Sequence, residues 1–341
     1  MQHAGWMNRP ARGMAWMRGL PGALALLLGL AAASPAAAVR VVPVDNLPCP
    51  FDPSARVRGF RMVLDNRVGG WDADTATYAK EGQWRSFRVA TCEGSLFSVY
   101  QEDLSIQLDA RQRRAVEQAL ALAKAKLVDP AKPTVTERHQ LALAVYAALG
   151  RPPLQLADGY LEASWTARDR AVGETMLLEG PAFTRRLLDM GALELQKPLS
   201  PAQQRTVRFN LARVAHRGGY AAERDAHLAA FEALGPLSEE EALAVQILRE
   251  AAGRLEPSLQ REALRYYELA LKRGDLGPAD AARARYLSAE LRRRLGERGP
   301  ALQGLRAAAV DPALEPRLRE MAAVLAAELS GVSVGAGQAA Q

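Results

Sequence analysis

From Asp109 onward the chain keeps a helical period, and this rules out most folds open to a sequence of 341 residues. Ala, Leu, Arg and Glu dominate there, and apolar residues recur three and four positions apart. Local signals cut the run into pieces. Thr134-x-x-Glu137, Ser200-Pro201 and Ser238 with Glu239, Glu240 and Glu241 read as helix starts. Gly150, Gly218-Gly219, Gly235, Gly274 and Gly296 read as ends. The spacing predicts helices over 109–128, 135–149, 154–171, 181–196, 201–217, 221–234, 239–253, 259–273, 278–295, 299–309 and 313–329. Short turns between them favour antiparallel neighbours, so the expected class is mainly α, a stack of helical hairpins.

Two stretches look like tetratricopeptide helix pairs. Phe209-Asn-Leu-Ala-Arg-Val-Ala-His-Arg-Gly-Gly-Tyr220 leads into an Ala/Leu-rich helix, and Tyr286-Leu-Ser-Ala-Glu-Leu-Arg-Arg-Arg-Leu-Gly296 leads into Ala301-Leu-Gln-Gly-Leu305. Each sets large apolar residues before a glycine turn and small residues after it. The full 34-residue signature is absent, so the expectation is TPR-like only.

Residues 39–108 have a different texture. They hold Trp71 and Trp84 and the short alternating runs Phe60–Leu64, Trp84–Val89 and Leu96–Tyr100, separated by Gly69-Gly70, Gly82 and Gly94. This is strand-and-turn chemistry in a module too small to be stable alone. The expected domains are a leader at 1–38, this β-containing module at 39–108, the helical domain at 109–330 and a disordered tail at 331–341.

The leader expectation rests on Arg9, Arg12 and Arg18, a 15-residue apolar run from Gly19 to Ala33, and the A-x-A site Ala36-Ala37-Ala38. The apolar run is short for a bilayer span. Of the formal net charge of +6, three positive charges belong to this leader. The remainder is a solubility statement and gives no reason to expect nucleic acid. The expected location is the bacterial periplasm or the medium, without stable membrane insertion after cleavage. The only two cysteines, Cys49 and Cys92, follow shortly after. In an oxidising compartment such a pair most simply forms one disulfide.

The order of features resembles domain-of-unknown-function family 2225, whose members carry a zinc-ribbon-like module with two CxxC pairs followed by TPR-like helices. Cys49-Pro50-Phe51-Asp52 and Thr91-Cys92-Glu93-Gly94-Ser95 stand where the two knuckles would be. Asp72-Ala-Asp74 with Tyr78 resembles the family's acidic and aromatic linker. Leu161-Glu-Ala-Ser-Trp165-Thr-Ala-Arg168 resembles its helical segment with a Trp–Arg pair, and Tyr286–Gly296 its C-terminal helix. Each knuckle has lost its second cysteine, to Asp52 and to Ser95. Asp and Ser with two cysteines are a poor zinc set, and the mature histidines, His139, His216 and His227, are distant in sequence. The resemblance implies that the first cysteines lie close together, which again favours a Cys49–Cys92 disulfide. No CxxC remains for an oxidoreductase.

No other constellation carries chemistry. Asp72 and Asp74 with Asp65 lack the glycine and glutamate of a calcium loop and read as a solvated acidic turn. His216 and His227 read as ordinary helix histidines. Arg283, Arg285, Arg292, Arg293 and Arg294 read as a solvated basic face able to meet an acidic patch. Trp165, Phe231, Tyr266 and Tyr267 read as core. No HExxH, GxSxG, Walker A or post-strand GxGxxG pattern occurs. The expectation is therefore a non-enzymatic, exported helical-repeat protein, a scaffold for a protein or peptide in the cell envelope, with no metal, cofactor or nucleic acid. Two alternatives are an enzyme with a site near Asp65, Asp72, Asp74 and Glu81, and a structural envelope component.

Overall fold

A computed structural model describes residues 40–64, 70–78, 83–173 and 178–331. The expected leader, Asp65, Glu81 and all of the expected tail except Gly331 lie outside the described residues.

The protein is mainly α, with a small strand region at the N-terminal side. In that region β1 (Arg40–Pro48) pairs antiparallel with β2 (Arg56–Leu64). Two residues, Gly70–Trp71, form β3, and β4 (Val89–Thr91) pairs antiparallel with β5 (Ser98–Tyr100). The expected strand at Trp84–Val89 begins instead as a 3-10 turn, Trp84–Ser86. Arg85 lies in that turn, buried, where its guanidinium reaches Asp169 and the Thr77 carbonyl. Cys49 and Cys92 are joined by a disulfide with Cα atoms 5.8 Å apart, tying the end of β1 to the end of β4. Phe51 stacks on Phe97 next to it, with ring centroids 5.3 Å apart.

The helices are α1 (Ala110–Lys124), α2 (Val135–Ala148), α3 (Pro153–Val172), α4 (Pro181–Glu194), α5 (Pro201–Gly218), α6 (Ala221–Glu232), α7 (Glu239–Glu250), α8 (Glu256–Arg273), α9 (Pro278–Arg294), α10 (Arg298–Ala309) and α11 (Pro316–Leu329). A two-residue strand β6 (Leu178–Glu179) precedes α4 and pairs parallel with β3. The start signals act as read: Thr134 with Glu137, Ser200 with Gln203 and Ser238 with Glu241 form reciprocal capping boxes. Gly219 closes α5 in the left-handed conformation, φ 77°.

One expected break is absent. The sequence predicts a gap between 253 and 259, yet α7 runs into α8 through a π turn, Ala251–Leu255. Pro257 has no N–H for the carbonyl four residues back. The wider turn absorbs that missing bond without ending the helix, and it delivers Glu256 to the interior.

Most sequence neighbours pack together (α1 on α2, α2 on α3, α4 on α5, α5 on α6, and α8 through α11 in turn), but the helices do not stack in a single line. In a linear array each repeat meets only its neighbours. Here α3 packs along α8 and also meets α5 and α7, while α11 touches α4. Helix α3 reaches three cores. Leu156, Ala163 and Ala167 join Cys49, Val57, Val89, Phe97, Tyr100, Val116 and Leu141. Ala157 and Leu161 join residues of α8 to α11 such as Tyr267, Tyr286 and Leu325. Ala171 joins Phe209, Phe231 and Leu248. Small residues such as Ala157, Ala163, Ala167 and Ala171 let neighbours approach α3 on several sides, while Gln155 and Arg170 keep an exposed edge. Gly159 shows how tight this is: a Cβ there would stand 2.5 Å from Leu143 Cδ2 and 3.0 Å from the Tyr100 hydroxyl. The first core crosses residue 108, so the strand module and α1 to α3 share one interior.

Candidate functional site

Two polar features lie around α3. The first is a buried charge centre. The turn after β3 is pinned by Thr75 N–H to Asp72 O (2.9 Å) and by Asp72 N–H to Ala76 O (2.8 Å), with Thr75 in the left-handed region, φ 69°. It projects Asp72 and Asp74 inward onto α3. Arg168 donates to Asp72 Oδ2 (2.9 Å), to both oxygens of Asp74 (3.2 and 2.5 Å) and to Glu256 Oε1 (2.9 and 2.7 Å). Tyr78 Oη donates to Asp72 Oδ2 at 2.7 Å, Trp165 Nε1 to Asp74 Oδ2 at 3.1 Å and Gln260 to Glu256 Oε1 at 2.8 Å. Arg217 gives Nε to Asp72 (3.1 Å) and lays its guanidinium on the Tyr78 ring, 3.5 Å from the centroid. Its two terminal nitrogens have no hydrogen-bond partner among the described residues. Arg293 and Arg294 both reach Glu290 and also donate to the Gly218 and Arg217 carbonyls that end α5.

The electrostatics follow from this crowding. Burial alone would raise Asp74, but Arg168 and Arg294 reverse that and hold its carboxyl well below the usual carboxylate range. Glu256 is likewise pushed up by burial and pulled further down, to about 2, by Arg168 and His216. His216 Nε2 and Glu256 Oε2 stand 3.1 Å apart.

This corrects two expectations. Asp72 and Asp74 are not a solvated turn: both are buried and paired with arginine. Arg293 and Arg294 are not part of a solvated face, being tucked between α9 and the end of α5. Arg285 and Arg292 do lie at the surface, paired with Asp311 and Glu268. His216 belongs to the centre, and His227 is half-buried beside Arg208 and Glu223. Among the described residues no three His, Cys, Asp or Glu side chains gather as a metal site. Asp52 accepts from the Ser54 N–H and hydroxyl (3.0 and 2.6 Å), and Ser95 Oγ accepts from the Phe97 N–H (3.3 Å), so both are turn residues. Phe231 and Tyr267 are core, as expected.

The second feature is a cleft of about 530 Å³ between the strand module and α3. Arg88, Tyr100 and Glu102 come from the module, Asp158 and Glu162 from α3 and Arg283 from α9. Leu154, Leu161 and Trp165 give it apolar walls. Arg88 bridges Glu102 and Glu162 while its guanidinium covers the Tyr100 ring at 4.1 Å. Arg283 and the Tyr267 hydroxyl both donate to Asp158 (3.0 and 2.5 Å). Burial pushes the Glu162 carboxyl up, against the pull of Arg88 and Arg85.

Sequence reasoning missed Arg85, Arg88, Glu162, Arg217 and Glu256. One signal was present for Arg168 and Glu162. Both sit in Leu161–Arg168 beside Leu161, Ala163, Ser164, Trp165, Thr166 and Ala167, a stretch with no other charge to make a solvated face with them.

The chain matches no family model, no curated protein and no solved structure. No helix among the described residues is long and apolar enough to cross a membrane.

Proposed function

We propose that the protein is an exported binding protein of the cell envelope, and that a segment of a protein or peptide partner lies in the cleft between the strand module and α3. The cleft itself carries this reading. Its volume, about 530 Å³, is in the range that holds ligands, and its apolar walls with a few placed polar groups are the usual composition of such sites. Its arginines are already held by Glu102, Glu162 and Asp158, so little side-chain order is lost on binding. TPR-like pairs, α5 with α6 and α9 with α10, would extend the same surface. The leader and the disulfide fit an oxidising compartment. On this reading the module is a zinc-ribbon-like unit, related to domain-of-unknown-function family 2225, held by Cys49–Cys92 in place of a metal.

An enzyme built on the module's acidic residues has less support, because Asp72 and Asp74 are buried and bound to Arg168 and Arg217. A purely structural role gives the cleft nothing to do.

A peptide array probed with the full chain tests the reading. Gln155 is exposed on the cleft rim, and Gln155→Trp should abolish the signal without lowering the melting temperature. Unchanged binding by that variant would remove the cleft from the account. N-terminal sequencing of periplasmic material should begin at Val39, and a retained leader would count against export with cleavage.

A further inference from the structure

The cleft lining holds more carboxylates than guanidinium groups. Arg88 is engaged at all three nitrogens: Nε and Nη2 reach Glu102 Oε1 (3.1 and 2.5 Å) and Nη1 reaches Glu162 Oε2. Glu102 is half exposed, with its carboxylate open to the cleft. Asp158 Oδ1 takes both the Tyr267 hydroxyl and Arg283, leaving Oδ2 with one long contact of 3.2 Å. Three carboxylates face two guanidinium groups, so the lining carries one net negative charge.

Glu162 is the sharpest element. It is 8% exposed, lines the cleft and is paired there with Arg88. A mostly buried carboxylate is costly to keep ionised, and the cost falls when a further cationic donor is supplied. The Tyr100 hydroxyl beside it is also buried and without a partner among the described residues. Leu154, Leu161 and Trp165 offer an apolar wall leading toward these groups. A ligand that satisfies both parts has an aliphatic stem and a cationic, donor-rich head.

We propose that the cleft takes the side chain of a lysine or arginine from the partner peptide, with the stem along Leu154 and Leu161 and the head at Glu162 and Glu102. This rests on the peptide-binding reading and names what that reading recognises. Arg283, at the outer rim, keeps donors for a peptide carbonyl. The charged groups that face Glu162 are Arg88, Arg85 and Glu102. A cation at Oε1 favours the ionised form, so affinity should rise with pH as Glu162 loses its proton.

Calorimetric titration of the full chain with four peptides, acetyl-Ala-Leu-Xaa-Leu-Ala-amide with Xaa as Lys, Arg, norleucine or Glu, tests this. The lysine and arginine peptides should bind at least tenfold more tightly than the norleucine peptide, with the glutamate peptide weakest. Glu162→Gln should remove that preference, since Glu102 still holds Arg88. Should that variant fail to fold, a pH series on the wild type replaces it. Affinity for the lysine peptide must fall on acidification while norleucine affinity stays level. Equal binding of lysine and norleucine peptides overturns the cationic assignment and leaves peptide binding standing. Binding by none of the four, together with a blank peptide array, overturns both.

Discussion

Arg168 on α3 and Asp74 in the strand module form a two-pronged ion pair, Nη1 to Oδ1 at 3.2 Å and Nη2 to Oδ2 at 2.5 Å, with both side chains wholly shielded from solvent. The same guanidinium holds Asp72 and Glu256. Removing it takes the shared counter-ion from three buried carboxylates. Breaking a buried pair by deleting one partner costs about 3–5 kcal/mol, and Arg168→Met should lose at least that much in urea unfolding. Arg168→Lys should rescue little, because an ammonium cannot present a planar fork to three acceptors. A loss below about 1 kcal/mol would mean that the centre contributes little to stability.

Acid should destabilise the protein in two stages. Burial lowers His139 to about 4, and its Nε2 sits 2.9 Å from the Arg85 carbonyl. A carbonyl only accepts, so Nε2 carries the proton of a neutral ring. The unfolded chain protonates this group near its ordinary value of 6.5 and the folded chain does not. Its contribution is therefore complete above 6.5 and lost as pH falls toward 4, about 3 kcal/mol in all. Glu256, lowered to about 2, and Asp74 act below 4.5, again losing stability as pH falls. Glu162 is raised and so acts with the opposite sign just above 4.5. The measurement is the difference between wild type and His139→Phe from pH 7 to pH 4, and parallel curves would contradict the assignment.

The Cys49–Cys92 bond closes a loop with a sequence separation of 43. The chain-entropy argument gives about 4 kcal/mol for a loop of that size. Cys49→Ser with Cys92→Ser should show a loss of that order by denaturant titration. Non-reducing peptide mapping of native material should find one linked pair. Two alkylated thiols would be the contrary result.

Two glycines should respond in opposite directions. A Cβ on Gly304 would stand 2.7 Å from Ala289 Cβ, so Gly304→Val should cost about 1–3 kcal/mol by forcing α9 and α10 apart. Gly253, in the π turn, has no atom within 4 Å of such a Cβ and no positive φ. Gly253→Ala should therefore gain about 0.4–1 kcal/mol. Thermal melts of both variants against wild type check the contrast.

What could be read in advance was local. Ser238 with Glu241 announces a helix start because both halves of the cap lie within four residues. The expected gap between 253 and 259 fails for a related reason: the π turn Ala251–Leu255 carries the helix past Pro257, and no local pattern announces it. The charge centre was least legible. Asp72 reads as a solvated turn because its partners, Arg168 and Arg217, lie 96 and 145 positions away. Arg293 and Arg294 look like part of a charged surface run until the ends of α5 and α9 are seen to meet. The cleft was foreseen only as a place between module and helices. Its residues come from Arg88 just before β4, Tyr100 at the end of β5, Glu102 in the turn that follows, α3 and α9, and no spacing rule connects them.

Tyr286 donates its hydroxyl to the carbonyl of Ala73 at 2.5 Å, across 213 positions of chain. The acidic turn of the module thus waits for counter-ions at Arg168 and Arg217 and for a cap, Tyr286, that is synthesised later still. A chain emerging from the ribosome cannot finish its first seventy-odd residues until nearly three hundred have appeared. Such long-range closure is slow, because loop entropy is lost before any contact rewards it. The early segment must stay open in the meantime, and its final assembly is a late, whole-chain event.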